Sequence, residues 1–152
     1  MREAQDGDLD AIRRLLERHG LPTGDLDQSR PSFVVAHDGA VLVGAGGLEV
    51  HGATGLLRSV VVADGARGTG LGRALVESIE NLARRQGLSE LVLLTETAHD
   101  FFARLGYRDI PRERAPEEVR ASAEFRSLCP DSARCMLKRL TPPPAHSTSL
   151  NR

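Results

Sequence analysis

The chain has 152 residues, a formal net charge of -1 and 27% charged residues, which is typical of one folded domain with an ordinary polar surface. This balance does not favour nucleic-acid binding, and four Phe, one Tyr and no Trp leave few rings on which bases could stack. No apolar run is long enough to cross a membrane, and the polar N-terminus does not resemble a signal peptide. We therefore expect a cytoplasmic protein with no nucleic-acid or membrane partner.

The N-terminal half predicts one amphipathic helix followed by an antiparallel meander. Apolar residues recur at helical spacing up to Gly20, a suitable helix terminator. Asp38-Gly39 separates two apolar runs, which is a strong hairpin signal. The predicted elements are a helix over 8–19, a loop or short broken helix over 22–31, and strands over 33–36, 40–50 and 56–63.

The C-terminal half predicts strands that alternate with helices. Gly87 and Gly106 are expected to end two helices, and Thr97 is expected to open the second through a variant of the capping box. Three consecutive prolines beyond Thr141 predict disorder. The predicted elements are helices over 71–86, 97–105 and 116–128, the last of them a helix or helical turn, and strands over 91–94, 107–110 and 133–140.

A glycine-rich loop joins the strand over 56–63 to the helix that follows it. Its sequence is Arg67-Gly68-Thr69-Gly70-Leu71-Gly72. Glycines let the backbone approach an anion, and the unpaired N–H groups at a helix N-terminus attract phosphate. The loop has no Gly-Lys-Ser/Thr ending, which disfavours a Walker A site. It has Arg73 where a dinucleotide fingerprint has its third glycine, which disfavours a dinucleotide site. A strand-to-helix turn without a ligand is the alternative.

The pattern Arg-x-x-Gly-x-Gly resembles the pyrophosphate-binding signature of the GNAT superfamily of N-acetyltransferases. The resemblance implies an α/β (α+β) fold with a single mixed, mostly antiparallel sheet of about six to seven strands. Helices flank this sheet, which is splayed between its fourth and fifth strands. Residues 1–140 would form the acetyltransferase domain and residues 141–152 a disordered Pro-rich tail. Only Met1 to Gln5 remain for the first strand, so it is very short or the true start lies upstream.

The same resemblance implies acetyl-CoA as co-substrate and no metal. The strand before the loop would pair with the pantetheine arm through its backbone, and one N–H group, that of Val61, would stabilise negative charge on the thioester oxygen. Arg67 and Arg73 would be charge partners of the pyrophosphate, although an exposed arginine is often only solvated. The cofactor-binding residues predicted in this way are Val60, Val61, Val62, Arg67, Gly68, Thr69, Gly70, Leu71, Gly72, Arg73 and Phe102.

A longer segment narrows the expected acceptor. Residues 93–107, Leu-Leu-Thr-Glu-Thr-Ala-His-Asp-Phe-Phe-Ala-Arg-Leu-Gly-Tyr, resemble the acetyltransferase domain of N-acetylglutamate synthases and the amino-acid N-acetyltransferases encoded beside arsenic-resistance genes. The second resemblance extends to Arg58-Ser59 and to residues 124–130. It implies a small amino acid or an arsenic- or phosphinothricin-like analogue as acceptor. A protein N-terminus, an antibiotic, a polyamine and a non-catalytic acetyl-CoA sensor are alternatives, and the protein would be a monomer or homodimer.

Candidate catalytic groups follow from the chemistry of amine acetylation. The acceptor attacks as a neutral amine, for which Glu49 near a strand end is our candidate base; an exposed carboxylate without a role is the alternative. The tyrosine that usually protonates the departing thiolate is replaced by Phe102. Tyr107 follows five residues later, and we expect it to be a core residue rather than the acid that protonates the thiolate.

Candidate acceptor-binding residues are Arg58, Ser59 and Thr95. Arg58 interrupts an apolar strand and is suited to a bidentate bond with an α-carboxylate; a solvent-facing polar position on that strand is the alternative. Two cysteines, Cys129 and Cys135, could form a thiol pair for arsenite; two small apolar residues are the alternative. The five histidines have no spacing typical of a metal site or a catalytic triad.

Overall fold

One seven-stranded sheet organises the described part of the chain. The computed structural model describes residues 1–128 and 132–141. The strands are β1 Arg2–Glu3, β2 Ser32–Asp38, β3 Val41–His51, β4 Thr54–Val62, β5 Glu90–Thr95, β6 Arg108–Asp109 and β7 Arg134–Arg139. Their order in the sheet is β1-β2-β3-β4-β5-β7-β6, and every neighbouring pair is antiparallel except β4 and β5. The predicted mixed, mostly antiparallel sheet is confirmed, with a first strand of two residues.

Five α-helices flank this sheet in the described residues. They are α1 Leu9–Arg18, α2 Leu26–Ser29, α3 Leu71–Arg85, α4 His99–Arg104 and α5 Glu117–Arg120, with short 3₁₀ turns at Asp6–Asp8, Asp64–Ala66 and Arg112–Arg114. The amphipathic patterns of α1 and α3 placed both helices correctly. The hairpin at Asp38-Gly39 is also confirmed, with Gly39 at φ 62°, the left-handed backbone that a tight hairpin turn requires.

Two local predictions differ from the structure. The helix predicted over 116–128 is α5 followed by one π-helical turn, Glu124–Leu128. The hydroxyl of Ser122 accepts the N–H of Phe125 at 3.4 Å, so a side chain competes with the backbone where a continuous helix would pass. Thr97 does not cap α4, because Thr95 Oγ1 accepts the N–H of Ala98, the residue before the helix, at 3.0 Å.

β4 and β5 separate soon after they begin to pair. Their parallel ladder joins only Thr54–Leu56 to Glu90–Val92, whereas β4 continues to Val62 and β5 to Thr95. From Leu57 onward the two strands therefore diverge, and the gap between them opens toward the glycine-rich loop. The predicted splay between the fourth and fifth strands is confirmed.

The two faces of the sheet carry different apolar clusters. One face packs against α3 and α4 through a cluster that includes Leu57, Ile79 and Met136. The opposite face carries two separate clusters. The first packs α1 and α2 on β2 to β4, and the second packs α5 and the π-helical turn on β4, β5 and β7. A seam therefore runs between these two clusters along β4.

Glycines in β3 allow α3 to lie close to the sheet. A Cβ on Gly46 would stand 2.5 Å from Ile79 Cδ1, and one on Gly44 would stand 2.9 Å from Leu75 Cδ1. Both distances are shorter than van der Waals contact, so a larger residue at either position would require these α3 side chains to shift. The two glycines therefore allow α3, which follows the glycine-rich loop, to pack closely on β3.

A β-bulge interrupts β4 at Ser59. Arg58 is paired with Gly47 and Val61 with Ala45, so Ser59 and Val60 together face the single residue Gly46. Ser59 has φ 58°, a left-handed backbone that disfavours a residue with a side chain. The extra residue reverses the alternation of side chains, so Arg58 and Val61 lie on one face of the sheet.

Some predictions fall on residues outside the described ranges. Cys129 and residues 142–152 of the predicted tail are among them. None of the helices in the described ranges combines the length and apolarity that crossing a bilayer requires. Within those same ranges, no group of three or more His, Cys, Asp or Glu side chains is arranged to hold a metal ion.

Candidate active site

The glycine-rich loop presents an open backbone at the N-terminus of α3. Gly68 and Gly70 have φ of 78° and 82°, and a Cβ at either position would meet no atom within 4 Å. The first backbone bond of α3 runs from the N–H of Ala74 to the carbonyl of Gly70. Among the described residues, no backbone carbonyl accepts an N–H group from Gly68 to Arg73. These N–H groups therefore form a row of free donors at the positive end of a 15-residue helix.

The third glycine of the loop has a packing role. A Cβ on Gly72 would stand 3.3 Å from the ring of Phe101, a side chain of α4. The ring lies against the first turn of α3 and joins the two helices there. Gly72 therefore permits a close helix contact, whereas Gly68 and Gly70 provide the left-handed turn.

Two exposed arginines flank the loop. Arg67 Nε lies 3.5 Å from Asp64 Oδ1, and its side chain is 62% exposed. Arg73 Nε donates to Glu77 Oε2 at 3.1 Å, and its side chain is 68% exposed. Exposed pairs of this kind contribute little to stability, so both guanidinium groups remain able to turn toward an anion on the loop. Their role as charge partners of a pyrophosphate stays a prediction.

The segment of β4 after the bulge lines the splay. Val61 packs into the cluster under α1, while Val60 and Val62 pack toward α3. Their side chains therefore fill both faces of the sheet. Beyond Leu56, this edge of β4 has no ladder with β5, so an extended ligand can pair with it as an added strand.

A buried ionic cluster occupies the seam directly beyond the last β4–β5 pair. Arg58 has a side chain that is 0% exposed. Its Nη1 donates to Asp25 Oδ2 at 2.5 Å and to Glu49 Oε2 at 2.6 Å, and its Nη2 donates to Asp25 Oδ1 at 2.8 Å. Its Nε donates to Ser59 Oγ at 3.1 Å and lies 3.5 Å from Glu124 Oε2. We call Asp25, Glu49, Arg58 and Glu124 the Arg58 cluster.

Separate elements bring the Arg58 cluster together. Asp25 precedes α2, Glu49 lies on β3, Arg58 lies on β4, and Glu124 begins the π-helical turn. The sequence pointed to Arg58 and Glu49 as site residues but not to Asp25 or Glu124. The available signal was Arg58 itself, because a buried arginine needs acidic partners; nothing in the sequence specified which ones.

The alternatives that left Arg58 and Glu49 exposed are wrong. Glu49 is 6% exposed and Arg58 2% exposed, and the guanidinium is held by carboxylates of this chain. An acceptor carboxylate could reach Arg58 only by displacing one of them. The assignment of Arg58 and Ser59 to acceptor binding stays a prediction, with this added condition.

Two carboxyl groups of the cluster are held in the charged form. Burial by itself would raise the pKa of Asp25, but hydrogen bonds from Arg58 and Ser29 outweigh it and lower that pKa. Burial likewise opposes ionisation of Glu49, but the bonds with His51 and Arg58 lower its pKa below the usual value. His51 Nε2 lies 2.9 Å from Glu49 Oε1. A lowered pKa makes Glu49 a weaker base than an ordinary glutamate, which counts against the predicted role.

Glu124 differs from the other carboxyl groups of the cluster. It is 4% exposed, and burial raises its pKa to about 7 because the attraction of Arg58 does not compensate for lost hydration. Glu49 and Asp25 add repulsion in the same direction. Its Oε1 is buried and has no hydrogen-bond partner among the described residues.

The aromatic side chains near α4 belong to the core. Phe102 is 6% exposed, and its ring contacts those of Phe101 and Tyr107 edge-on, with centroids 5.0 and 5.6 Å away. Tyr107 donates its hydroxyl to Glu80 Oε2 at 2.8 Å, and burial raises its pKa above the usual value. The core role expected for Tyr107 agrees with this packing, and the same packing counts against cofactor contact by Phe102.

Two further predicted residues have local roles. The hydroxyl of Thr95 accepts the N–H of Ala98 at the start of α4, which fixes the turn after β5; its role in acceptor binding stays a prediction. Cys135 is buried, and burial raises the pKa of its thiol to about 11. A protonated, buried thiol favours a small apolar residue over an arsenite ligand.

Comparison with known proteins agrees with this geometry. The chain is 27% identical to Rv2747 from Mycobacterium tuberculosis, solved in complex with CoA and NLQ; the match covers 91% of this chain and 97% of that one with a TM-score of 0.77. It shares the fold of N-acetylglutamate synthase from Neisseria gonorrhoeae, solved with coenzyme A and N-acetyl-glutamate. That match has 23% identity, a TM-score of 0.79, and coverage of 92% of this chain and 34% of that one.

A curated relative and a family model add evidence from sequence. An uncharacterized N-acetyltransferase from Chlorobaculum tepidum is 36% identical over 63 residues, which are 41% of this chain and 40% of that protein. The matched segment therefore spans less than half of the relative. The model of the acetyltransferase (GNAT) domain matches residues 29–109, a range that runs from the end of α2 to β6 and includes the bulge, the splay and the glycine-rich loop. The chain belongs to the acetyltransferase (GNAT) domain family.

Proposed function

We propose that the protein transfers the acetyl group of acetyl-CoA to the amine of a small amino acid or amino-acid analogue. The observation that carries this proposal is the open glycine-rich loop, which lies at the N-terminus of α3 beside the unpaired edge of β4. A single ligand with a pyrophosphate and an extended amide-bearing arm would contact both features. Acetyl-CoA has this form, and when bound it supplies an activated acyl thioester.

The chain's own residues have distinct roles in this proposal. The N–H groups from Gly68 to Arg73 bind the pyrophosphate, with Arg67 and Arg73 as charge partners. The backbone from Val60 to Val62 pairs with the extended arm, and the N–H of Val61 stabilises negative charge on the thioester oxygen. Thr69 Oγ1 donates to the carbonyl of Ala66 at 2.5 Å and holds the loop in shape.

An amino acid as acceptor is supported by the resemblance of residues 93–107 to N-acetylglutamate synthases and by the fold shared with the Neisseria gonorrhoeae enzyme, which was solved with N-acetyl-glutamate. A non-catalytic acetyl-CoA sensor is the second candidate. It is favoured by the absence of an obvious acid for the departing thiolate. Phe102 has no hydroxyl, and the hydroxyl of Tyr107 is buried and donates to Glu80.

Release of free thiol from acetyl-CoA tests the proposal. The acceptor panel is L-glutamate, L-aspartate, phosphinothricin, its arsenic analogue, a polyamine and an aminoglycoside. We expect thiol release with at least one amino acid and none with the polyamine or the aminoglycoside. Binding of CoA without turnover of any acceptor would favour the sensor, and turnover of the polyamine alone would contradict the amino-acid acceptor.

The Gly70→Ala substitution should weaken acetyl-CoA binding. A residue with a Cβ at φ 82° is strained by about 1–2 kcal/mol, so the loop should leave the anion-binding shape. We expect the KM for acetyl-CoA to rise about tenfold, as about 1.4 kcal/mol predicts, with little change in the acceptor KM. Steady-state kinetics at varied acetyl-CoA would measure this.

Gly65→Ala is the matched control for that experiment. Gly65 lies in the turn just before the loop, does not have positive φ, and has open space where a Cβ would stand. It should bind acetyl-CoA as the wild type does. Equal KM values for the two variants would argue against the role of the loop.

A further inference from the structure

The Arg58 cluster has more negative than positive charge. Three carboxyl groups surround one guanidinium in the seam between two apolar clusters, and each of the four side chains is at most 5% exposed. Among the described residues, one other titratable side chain, His51, contacts the cluster, and it contacts only Glu49. Buried charges of one sign require a compensating cation or a proton. The cluster is therefore incomplete when all three carboxyl groups are ionised.

One carboxylate oxygen of the cluster, Glu124 Oε1, has no hydrogen-bond donor among the described residues. Both oxygens of Asp25 contact Arg58, and those of Glu49 are bound by Arg58 and His51. Glu124 Oε2 is 3.5 Å from Arg58 Nε, and Glu124 Oε1 is buried without a partner among the described residues. An ionised carboxylate has about four acceptor sites, so Glu124 is the member able to accept a new donor.

The position of Glu124 relates this oxygen to the splay. Arg58 lies two residues beyond the last β4–β5 pair and one residue before the bulge, and Glu124 contacts it from the π-helical turn that packs over β4. Single π-helical turns are frequent at functional sites. Glu124 thus lies on the face of the sheet opposite α3, next to the part of β4 at which the splay begins.

We propose that Glu124 receives the ammonium group of the acceptor at its Oε1 and takes the proton that the amine must lose. This inference rests on the acetyl transfer proposed above. It revises the assignment of Glu49, whose oxygens are already bound, and makes Glu49 and Asp25 the groups that hold Arg58 in place. The pKa of about 7 that burial gives Glu124 suits a proton acceptor near neutral pH.

The step balances in atoms and charge. The ammonium gives one proton to the Glu124 carboxylate and becomes a neutral amine. The amine nitrogen attacks the thioester carbon, the new C–N bond forms, and the C–S bond breaks with its electron pair on sulfur. The second proton lost by nitrogen passes to the thiolate, and the proton on Glu124 returns to solvent. The products are the N-acetyl compound and free CoA.

The test compares two nucleophiles that differ in their need for a base. L-glutamate carries an ammonium group at neutral pH, whereas its analogue 2-(aminooxy)glutarate carries an –O–NH₂ group that is already neutral. With L-glutamate, Glu124→Gln should lower kcat by about 10²- to 10⁴-fold, the range of general-base catalysis. With the aminooxy analogue, the variant should keep the wild-type kcat. Glu117→Gln, an exposed change on neighbouring α5, is the control and should match the wild type with both.

The outcomes separate this inference from the proposed function. If Glu124→Gln slows both nucleophiles equally, Glu124 has a structural role and the inference is overturned. If the wild type acetylates no member of the acceptor panel and neither nucleophile, the proposed function fails. The ammonium site would then be judged by the next measurement alone.

Carboxyl-carbon NMR measures the ammonium site without turnover. The pKa of Glu124 in the wild type should fall when methylammonium chloride is added, because a bound cation with N–H donors stabilises the carboxylate. Tetramethylammonium chloride at equal ionic strength has no such donors and should leave that pKa higher. Equal responses to the two salts would overturn binding at Oε1.

Discussion

The Arg58→Met substitution should lower the free energy of unfolding at pH 7 by about 3–5 kcal/mol, the effect of removing one partner from a buried ion pair. Methionine fills much of the same volume but leaves Asp25 and Glu49 buried as uncompensated anions. Their pKa values in the folded variant should then rise above those of the unfolded chain. The variant should regain stability as the pH falls toward 4, because both groups take up protons in the folded state.

Urea denaturation of the variant at several pH values would measure this effect. Arg13→Met is the control, since Arg13 pairs at 3.2 Å with Asp27, whose side chain is 82% exposed; its loss should change stability by about 0–1 kcal/mol. Adding Asp25→Asn and Glu49→Gln to Arg58→Met should restore part of the lost stability. A loss below about 1 kcal/mol for Arg58→Met would show that the carboxylates are not held as ions.

The Glu124→Gln substitution should stabilise the protein relative to wild type as the pH rises from 5 to 8. The folded-state pKa of Glu124 is raised from 4.5 to about 7, so the folded protein holds this proton more tightly than the unfolded chain. The contribution is complete below pH 4.5 and is lost as the pH passes through 7. A shift of this size corresponds to about 3 kcal/mol, which the uncharged variant does not lose.

Unfolding free energies of wild type and variant at pH 5 and pH 8 would test this prediction. The difference between the two proteins should change by about 2–3 kcal/mol over that range, with the variant favoured at pH 8. Asp25 and Glu49 contribute in the opposite sense, since their lowered pKa values give stability that is lost only in acid. A pH-independent difference would mean that Glu124 titrates normally, and Glu117→Gln should show no such trend.

Much of the fold could be predicted because its signals are local. The apolar spacing of α1 and α3, the hairpin at Asp38-Gly39 and the strand before the loop each depend on a few adjacent residues. The glycine-rich loop could be recognised for the same reason, since a turn with positive φ and an open helix N-terminus requires particular residues in sequence. Gly68 and Gly70 satisfy that requirement.

The ionic cluster and the bulge could not be predicted, for two physical reasons. Asp25 and Arg58 are 33 positions apart, and only the packed sheet decides which acidic residue reaches a buried guanidinium. Serine has no preference for positive φ, so the residue type at position 59 does not predict a bulge. The division of residues 116–128 was missed because Ser122 competes for a backbone N–H only once the segment lies on the sheet.

The extra residue at Ser59 divides β4 into two parts in which the side chains alternate differently. Before the bulge, Leu56 and Arg58 lie on the face opposite α3; after it, Val61 lies on that face, while Val60 and Val62 pack toward α3. In the proposed enzyme, the part of β4 before the bulge supports the buried Arg58 cluster, and the backbone after the bulge meets the donor. The bulge therefore lets a single strand combine a buried ionic cluster with an unpaired backbone edge only a few residues away.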